Sequence, residues 1–351
     1  AMKNTLWKAL GILLLAYVFA ITFLVPLGPG LLEFQNVDRV ISSATENRSV
    51  PEYQLIGYGT HWDEEPDALQ VFVKSKSQLA ALEVIRVDDA THATIGLTLP
   101  YSLPAKSWNV LINHPVDGTL LLENGLFLSD RFIDAQATWP APSFVEHPGN
   151  LGFHFPYQPR IIETIRNLML HVPLWFTMFL LMGIGFVSSI KLLSNPRNEL
   201  DDQRAEASVQ VGLWFGVLGL LTGSLWARFT WGAWWVDDPQ LNGALVTVLV
   251  YSGYMVLRQA VEDERLRSRL SAVYNLFAFV ILVILLMVLP RFSESLHPGK
   301  GGNPGFNTYD LNSALRAVFY PAIIGWMLLG IWMYLVTLRI KRVNRQSELM
   351  P

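Results

Sequence analysis

The sequence predicts a membrane protein whose fold class is an all-α bundle of six helices, with an inserted all-β, sandwich-like domain outside the membrane. Two observations predict this class. Hydrophobic residues make up 51% of the 351 residues and charged residues only 16%, a balance too apolar for an ordinary soluble domain of this length. The apolar residues are concentrated in six stretches, whereas a long segment between the first two stretches alternates polar with apolar residues.

Each apolar stretch is long enough to cross a bilayer, because a membrane helix needs about 20 mainly apolar residues to cover roughly 30 Å of hydrocarbon. The predicted helices are Leu6–Val25, Val172–Leu192, Val209–Leu225, Leu241–Leu257, Leu270–Leu289 and Leu315–Leu338. We therefore divide the chain into a first transmembrane helix at 1–27, a β domain at 28–160, a membrane domain of five helices at 161–343 and a cytoplasmic tail at 344–351.

The first apolar stretch has two interpretations. Lys3 and Lys8 lie at its start, as in a secretory signal peptide. The stretch is followed by a proline- and glycine-rich segment at 25–30, where we expect no small-x-small cleavage site. We therefore expect an uncleaved membrane anchor.

The segment 28–160 has the pattern of a small antiparallel β domain. Short alternating or β-branched runs are separated by turn signals such as Asp117-Gly118 and Asn124-Gly125. The clearest runs are Leu69–Val73, Leu82–Val87, Thr94–Leu99 and Trp108–Ile112. Short antiparallel strands of this kind are typical of a β-sandwich, which we predict for this domain. The sequence leaves open whether this domain docks a partner protein or covers a site.

Basic residues in short loops predict the orientation, because cytoplasmic loops carry an excess of lysine and arginine. One set of loops and the C-terminal tail contain Lys191, Arg197, Arg204, Arg258, Arg265, Arg267, Arg269, Arg339, Lys341, Arg342 and Arg345. The opposite short loops contain only Arg228, Arg291, Lys300 and Arg316. We expect a multi-pass membrane protein with both termini cytoplasmic and the β domain on the outer side of the membrane.

Composition and missing motifs argue against several classes of function. The sequence has no cysteine, which excludes disulfides, zinc–thiolate sites, iron–sulfur clusters and thiol redox chemistry. The net charge of -3, without a dense basic run, argues against nucleic acid as a partner. The sequence lacks a phosphate-binding loop, a His-Glu-x-x-His motif and a Gly-x-Ser-x-Gly motif. We therefore expect that the protein is not an enzyme and has no catalytic residues.

A tryptophan-rich segment lies where the third predicted helix reaches the outer face of the membrane. It contains Trp226, Trp231, Trp234 and Trp235. Tryptophans at this depth usually form an interfacial belt, with one or two at each helix end. Four within ten residues, beside Asp237, Asp238 and Arg228, are equally consistent with an aromatic platform for a large planar ligand.

Two histidines flank this segment in the neighbouring outer loops. His171 begins the second predicted helix, and His297 lies between the fifth and the sixth. A single histidine at such a depth is more often an interfacial polar residue than a ligand. Two separate loops, however, can place one imidazole on each face of a haem, whose iron commonly takes neutral imidazole as an axial ligand. The glycine-rich stretch 299–305 then predicts a hinge that makes His297 the more mobile ligand.

The segment 223–241 resembles the tryptophan-rich "WWD" signature of the haem-handling proteins of cytochrome c biogenesis. The residues at 170–173 and 295–299 are similar to the two histidine motifs of the haem exporter protein C (CcmC) family within that group. The three motifs occur in the family's order on a matching frame of six helices. The resemblance covers the first helix and about 161–342, and it leaves the β domain outside.

The tryptophan-rich segment departs from the family signature at two positions. Asp237 stands where the signature, Trp-Gly-x-x-Trp-x-Trp-Asp-x-Arg-Leu, has its last tryptophan, and Gln240 stands in place of its arginine. Arg228 and Arg316 are the candidates to replace that arginine at a haem propionate, since a guanidinium pairs bidentately with a carboxylate. Both could equally face headgroup phosphates.

The resemblance implies a protein that binds haem b at the outer face of the membrane and presents it to a periplasmic haem chaperone. The residues implied to bind it are His171 and His297 as iron ligands, with Trp226, Trp231, Trp234, Trp235, Asp238, Arg228 and Arg316. Implied partners are haem, the chaperone, the lipid bilayer and other membrane subunits of cytochrome c maturation, with an ABC-type complex as one candidate. The main alternative is an integral cytochrome c synthase. A secondary transporter is disfavoured, because the predicted helices contain almost no ionisable residues.

Overall fold

The computed structural model of the chain describes residues 3–42, 49–75, 78–97, 99–100, 107–127, 133–134, 144–159, 161–195, 198–293, 295–297, 311 and 313–348. The chain forms two compact units. One comprises Ala1–Leu24 with Glu163–Pro351, and the other comprises Val25–Ile162. The first unit is helical and contains the motifs that the sequence singles out.

The helical unit has the architecture of a multi-pass membrane protein, as predicted. Among the described residues, six helical segments are long and apolar enough to cross a membrane. The helices are α1 (Lys3–Leu24), α2 (Leu168–Ser194), α3 (Glu199–Trp231), α4 (Pro239–Ala260), α5 (Glu264–Val283), α6 (Leu289–Phe292) and α7 (Ser313–Glu348). A π-helical turn, Ile284–Val288, joins α5 to the short α6, so these two form one of the six segments. Several helices are longer than predicted, and α7 continues into the expected tail.

Contacts between the ends of the helices show which ends lie together. Tyr17 near the end of α1 donates a hydrogen bond to the carbonyl oxygen of Ala317, at the start of α7 (3.2 Å). Arg166, just before α2, donates to the carbonyl oxygen of Thr22 in α1 (2.6 Å). The end of α1 and the starts of α2 and α7 therefore lie at one end of the bundle, which we call the histidine end.

Small residues on α3 allow α2 to pack closely against it. Four glycines lie at intervals of four, three and four residues along α3: Gly212, Gly216, Gly219 and Gly223. They face, in the same order, Met182, Met178, Trp175 and His171. A Cβ at any of the four would approach these side chains to between 2.7 and 3.0 Å, closer than normal van der Waals contact. The two helices thus run antiparallel, with side chains of α2 seated against bare backbone of α3.

Pro290 explains the irregular turn that ends the fifth membrane segment. Proline has no N–H to donate to the preceding turn, and its ring crowds the carbonyl four residues earlier. The helix accommodates this with the π-helical turn Ile284–Val288 immediately before it. Gly243 of α4 packs here, where a Cβ would lie 2.8 Å from the carbonyl oxygen of Leu285. The start of α4 and the end of this segment are therefore held in close contact.

Charged side chains connect three helices at the end of the bundle opposite the histidine end. Arg258 of α4 is 7% exposed and forms a bidentate pair with Asp202 of α3 (2.7 and 2.8 Å). The same guanidinium donates to Glu206 (3.2 Å), which also pairs with Lys341 of α7 (2.9 Å). A buried charge is stable only when it is paired and hydrogen-bonded, and this network meets that condition.

The second unit is an antiparallel sheet. Its strands are β1 (Gly30–Ser42), β2 (Ser49–Tyr58), β3 (Gln70–Ser75), β4 (Gln78–Val87), β5 (His92–Gly96), β6 (Leu99–Pro100), β7 (Ser107–His114), β8 (Gly118–Phe127) and β9 (Ile133–Asp134). In the described part, seven strands form one sheet in the order β1-β2-β5-β4-β3-β7-β8, while β6 pairs with β9. Since β1 also lies beside β8, the sheet is nearly closed. The expected sandwich of two facing sheets is thus replaced by one curled sheet around the buried Trp62 and Trp108.

Replacing Arg258 with alanine should destabilise the helical unit by about 3–5 kcal/mol, because two carboxylates would lose their buried cation. Arg267→Ala is the matched control, since Arg267 is 30% exposed and only 3.8 Å from Glu264. Thermal unfolding of the detergent-solubilised variants measures the difference. Equal melting temperatures for the two variants would contradict this account of the network.

Candidate functional site

The tryptophan-rich segment forms the end of α3 and the loop that leads into α4. Gly232 ends α3 in the left-handed conformation (φ 82°), which glycine adopts without steric cost. Two side chains of α3 hold the loop that follows: Arg228 donates to the carbonyl oxygen of Gly232, and Ser224 to that of Trp234 (2.7 Å). The loop is therefore folded back against the last turns of the helix.

The four tryptophans of this segment differ in exposure. Trp226 and Trp231 are half-buried on α3, whereas Trp234 and Trp235 are 59% and 38% exposed. The indole Nε1 of Trp235 donates to Asn242 (3.1 Å). Asn242 in turn donates to Asp237 (2.8 Å). Asp237, which departs from the family signature, thus helps to fix the orientation of an exposed indole.

Asp238 is buried and connects two separate parts of the chain. Its Oδ1 caps the N-terminus of α4 by accepting from the backbone N–H groups of Gln240 (2.9 Å) and Leu241 (3.2 Å). Its Oδ2 accepts from the hydroxyl of Ser295 (2.8 Å) and the N–H of Leu296 (2.7 Å). The short segment 295–297 is therefore attached to the start of α4.

The same carboxylate contacts the first candidate ligand, His297. Nδ1 of His297 lies 3.1 Å from Oδ1 of Asp238. Burial alone would raise the pKa of Asp238, but hydrogen bonds from His297, Leu296 and Ser295 and the charge of His297 together hold this pKa below its ordinary value. Because the ionised carboxylate only accepts, Nδ1 carries the hydrogen of this bond, and in the neutral imidazole Nε2 is the nitrogen available to a ligand.

His171, the second candidate ligand, has a comparable arrangement with a different partner. Its Nδ1 lies 3.1 Å from the hydroxyl oxygen of Thr222, a residue of α3 that lies one turn before Trp226. That hydroxyl has a single hydrogen, and two carbonyl oxygens accept it, those of Leu218 (2.9 Å) and Gly219 (3.1 Å). Nδ1 of His171 must then donate to Thr222, and Nε2 is again the available nitrogen.

Two tryptophans of the segment each contact one of the candidate histidines. The ring of Trp226 meets His171 edge to face, with centroids 5.7 Å apart. The ring of Trp231 meets His297 in a similar way, at 5.3 Å. The two tryptophans are five positions apart in the helix, which corresponds to a rise of about 7.5 Å along its axis. Each histidine that the sequence singles out thus contacts one tryptophan of the segment between them.

The two candidate arginines are placed differently. Arg228 is exposed and bound to the backbone at the end of α3, whereas Arg316 is half-buried in the first turn of α7. Both lie at the histidine end of the bundle. Their assignment to the haem propionates stays a prediction. The glycine-rich stretch 299–305, predicted to be a hinge, lies outside the described residues.

Sequence reasoning missed the residues that orient the two histidines. Thr222, Gly223 and Ser295 each contact one of the candidate ligands or its partner. Thr222 lies outside the predicted motifs, and Gly223 and Ser295 begin two of them without having been assigned a role in the site. The spacing of the glycines on α3 could have identified Gly223, and the pair Asp238-Pro239 is typical of a helix start. No local signal identifies Thr222.

The remaining histidines lie in the sheet unit, where the sequence predicts surface or core roles. Nδ1 of His61 is 2.8 Å from the buried Asp117, and His114 is buried beside the same carboxylate (3.4 Å). Over the described residues, no group of three or more His, Cys, Asp or Glu side chains could hold a metal ion. These contacts fasten the loop before β3 to the turn between β7 and β8.

Comparison with known proteins places the helical unit in a family. The family described as Heme exporter protein C matches residues 150–350. A relative of that name from Bradyrhizobium diazoefficiens is 32% identical over 184 residues, which are 52% of this chain and 68% of the relative. One from Paracoccus denitrificans is 28% identical over 56% of this chain and 80% of its own length, and one from Escherichia coli K12 is 28% identical over 50% and 70%.

The matched region contains both candidate histidines and the whole tryptophan-rich segment. The sheet unit lies almost entirely outside it, as the resemblance predicts, but α1 lies outside it as well. The family match covers more than half of the chain. The protein therefore belongs to the heme exporter protein C family.

Proposed function

We propose that this protein is a haem-handling membrane component of cytochrome c biogenesis, which holds haem b between His171 and His297 and presents it to a periplasmic haem chaperone. One observation carries the proposal. Both imidazoles have Nδ1 bound to an acceptor, and both lie against the same tryptophan-rich segment at one end of the helical unit. This arrangement leaves two Nε2 atoms for a shared ligand.

The donor set fits haem better than a bare metal ion. A metal ion in a protein usually takes three or more side-chain ligands, whereas haem iron needs only axial ones because the porphyrin supplies the other four. The indoles of Trp231, Trp234 and Trp235 offer flat apolar surface for the macrocycle, and two of them are already exposed. When bound, haem would supply the iron that both imidazoles ligate.

Polar residues around the pair would fix the remaining features of the site. Asp238 holds His297 and the start of α4, and Trp226 packs against His171. Arg228 and Arg316 are the proposed partners of the two propionates, because guanidinium groups pair strongly with carboxylates. The protein makes and breaks no covalent bond in this scheme, so we regard it as a loading platform and not as an enzyme.

The distribution of basic residues supports a location in the bacterial inner membrane, with both termini in the cytoplasm and the histidine end at the periplasmic face. The sheet unit would then be a periplasmic domain inserted between the first two membrane helices, and it would dock a partner or shield the haem. Other membrane subunits of cytochrome c maturation, including an ABC-type complex, are the proposed assembly partners.

The optical spectrum of the purified protein tests the axial ligands. Haem-loaded protein should show the low-spin spectrum of two imidazole ligands, and His171→Ala or His297→Ala should each abolish it, with partial recovery on addition of free imidazole. His147→Ala, an exposed histidine of the sheet unit, should leave the spectrum unchanged. A low-spin spectrum that survives in both ligand variants would rule out this site.

Gly223→Ala tests the packing that positions His171 without touching either ligand. The added methyl group would lie 2.7 Å from Cε1 of His171, so the ring must move and haem should bind roughly tenfold more weakly. Gly183→Ala on α2 is the matched control, because its methyl group would lie 3.9 Å from Phe279, in ordinary contact. Titration of haem into the purified apoprotein measures both affinities. Equal affinities would show that this contact does not position the ligand.

A further inference from the structure

The two candidate ligands differ in the group that accepts the hydrogen bond from Nδ1. For His297 that group is the carboxylate of Asp238, and for His171 it is the hydroxyl of Thr222. We propose that Asp238 is a positioning residue that makes His297 the stronger, more electron-donating axial ligand, and His171 the weaker one. This inference rests on the proposed function and assigns unequal roles within the same site.

The hydrogen bonds of Asp238 restrict where the His297 ring can lie. The carboxylate is 1% exposed, and the ring nitrogen shares it with four other donors from described residues: Gln240, Leu241, Ser295 and Leu296. Two of these belong to α4 and two to the segment that carries the ligand. The orientation of His297 is thus fixed from both sides, by its own segment and by a helix.

The charge of Asp238 acts on the ligand as well as its position. A carboxylate that accepts from Nδ1–H increases the electron density at Nε2 and raises the basicity of the imidazole. Its negative charge also stabilises the additional positive charge of ferric iron, and this effect is strong because the group is buried. Both effects favour ferric over ferrous haem, so the carboxylate should lower the reduction potential of the site.

His171 has no comparable support. The hydroxyl of Thr222 is neutral, and it is the single side-chain acceptor for the His171 ring among the described residues. The ring also hydrogen-bonds to the backbone of Gly219 and packs against the backbone of Gly223 and the edges of Trp175 and Trp226. Neutral hydroxyl and carbonyl acceptors increase the basicity of an imidazole less than an ionised carboxylate does.

This ranking differs from the hypothesis that His297 is the more mobile ligand. That hypothesis depends on the glycine-rich stretch 299–305, which lies outside the described residues. The histidine itself precedes that stretch, in a segment whose backbone and side chains are bound to Asp238. The contacts of the described residues therefore fix the position of His297 through the segment that precedes this stretch.

A cycle of variants tests whether Asp238 acts through His297. Asp238→Asn keeps the cap of α4, because asparagine caps helices about as well as aspartate, but it removes the charge. In His171→Ala, where His297 is the remaining ligand, adding Asp238→Asn should weaken ferric haem binding 10- to 100-fold. In His297→Ala, where no His297 remains, the same change should alter binding less than about threefold.

The reduction potential of the bound haem is a second measurement. A purely structural role of Asp238 would leave this potential unchanged. In the intact site, Asp238→Asn should raise the midpoint potential in an optical redox titration, and the near-isosteric Thr222→Val should change it less. Asp238→Ser, which can still cap α4 but is too short to reach His297, should reproduce the shift of Asp238→Asn. These results together would support the unequal roles.

The outcomes separate this inference from the proposed function. Equal weakening by Asp238→Asn in both histidine backgrounds, or an unchanged midpoint potential, would overturn the role of Asp238 while leaving a bis-histidine site intact. Wild-type protein that binds no haem, or whose low-spin spectrum persists without either histidine, would instead overturn the proposed function, and this inference with it.

Discussion

The buried carboxylate of Asp238 is the interaction on which the geometry of the candidate site depends. A buried carboxylate is stable only if hydrogen-bond donors surround it. Here the donors come from the start of α4 and from the segment 295–297, which is 57 to 59 residues further along the chain. The need to satisfy one charge therefore joins two elements that share no sequence motif. Without this carboxylate, packing against Trp231 would be the main contact among the described residues that holds His297 close to the tryptophan-rich segment.

The glycines of α3 impose a second constraint on the site, which acts on His171 where Asp238 acts on His297. Because these positions lack a Cβ, α2 approaches closely enough for the ring of His171 to lie on the backbone at Gly223 and for its Nδ1 to reach Thr222. The end of α3 therefore contacts both histidines. Thr222 and Gly223 contact His171, and Trp231 contacts His297. Since both constraints converge on this helix, the tryptophan-rich segment is placed between the two histidines by packing and charge together.

The sequence predicts the helices and the candidate residues better than the contacts between them. Hydropathy reports burial in lipid, so the six membrane segments are apparent from composition alone. The tryptophans stand out because four within ten residues exceed an ordinary interfacial belt, and the histidines stand out because they flank this segment. The hydrogen bond between Asp238 and His297 cannot be predicted from a local pattern, because it joins residues far apart in the sequence. The same limit applies to the sheet, where β5 pairs with β2 and β4 although strand patterns alone do not specify partners.

The difference between the two histidine environments suits a protein that must both hold and release its ligand. A site with two equally strong axial ligands would bind haem tightly but release it slowly, whereas two weak ligands would not retain it. Pairing a carboxylate-supported histidine with a hydroxyl-supported one gives retention from the first and exchange at the second. In this view the neutral partner at Thr222 is as necessary as the charged one at Asp238. The proposed platform therefore depends on the asymmetry of the site as much as on its two ligands.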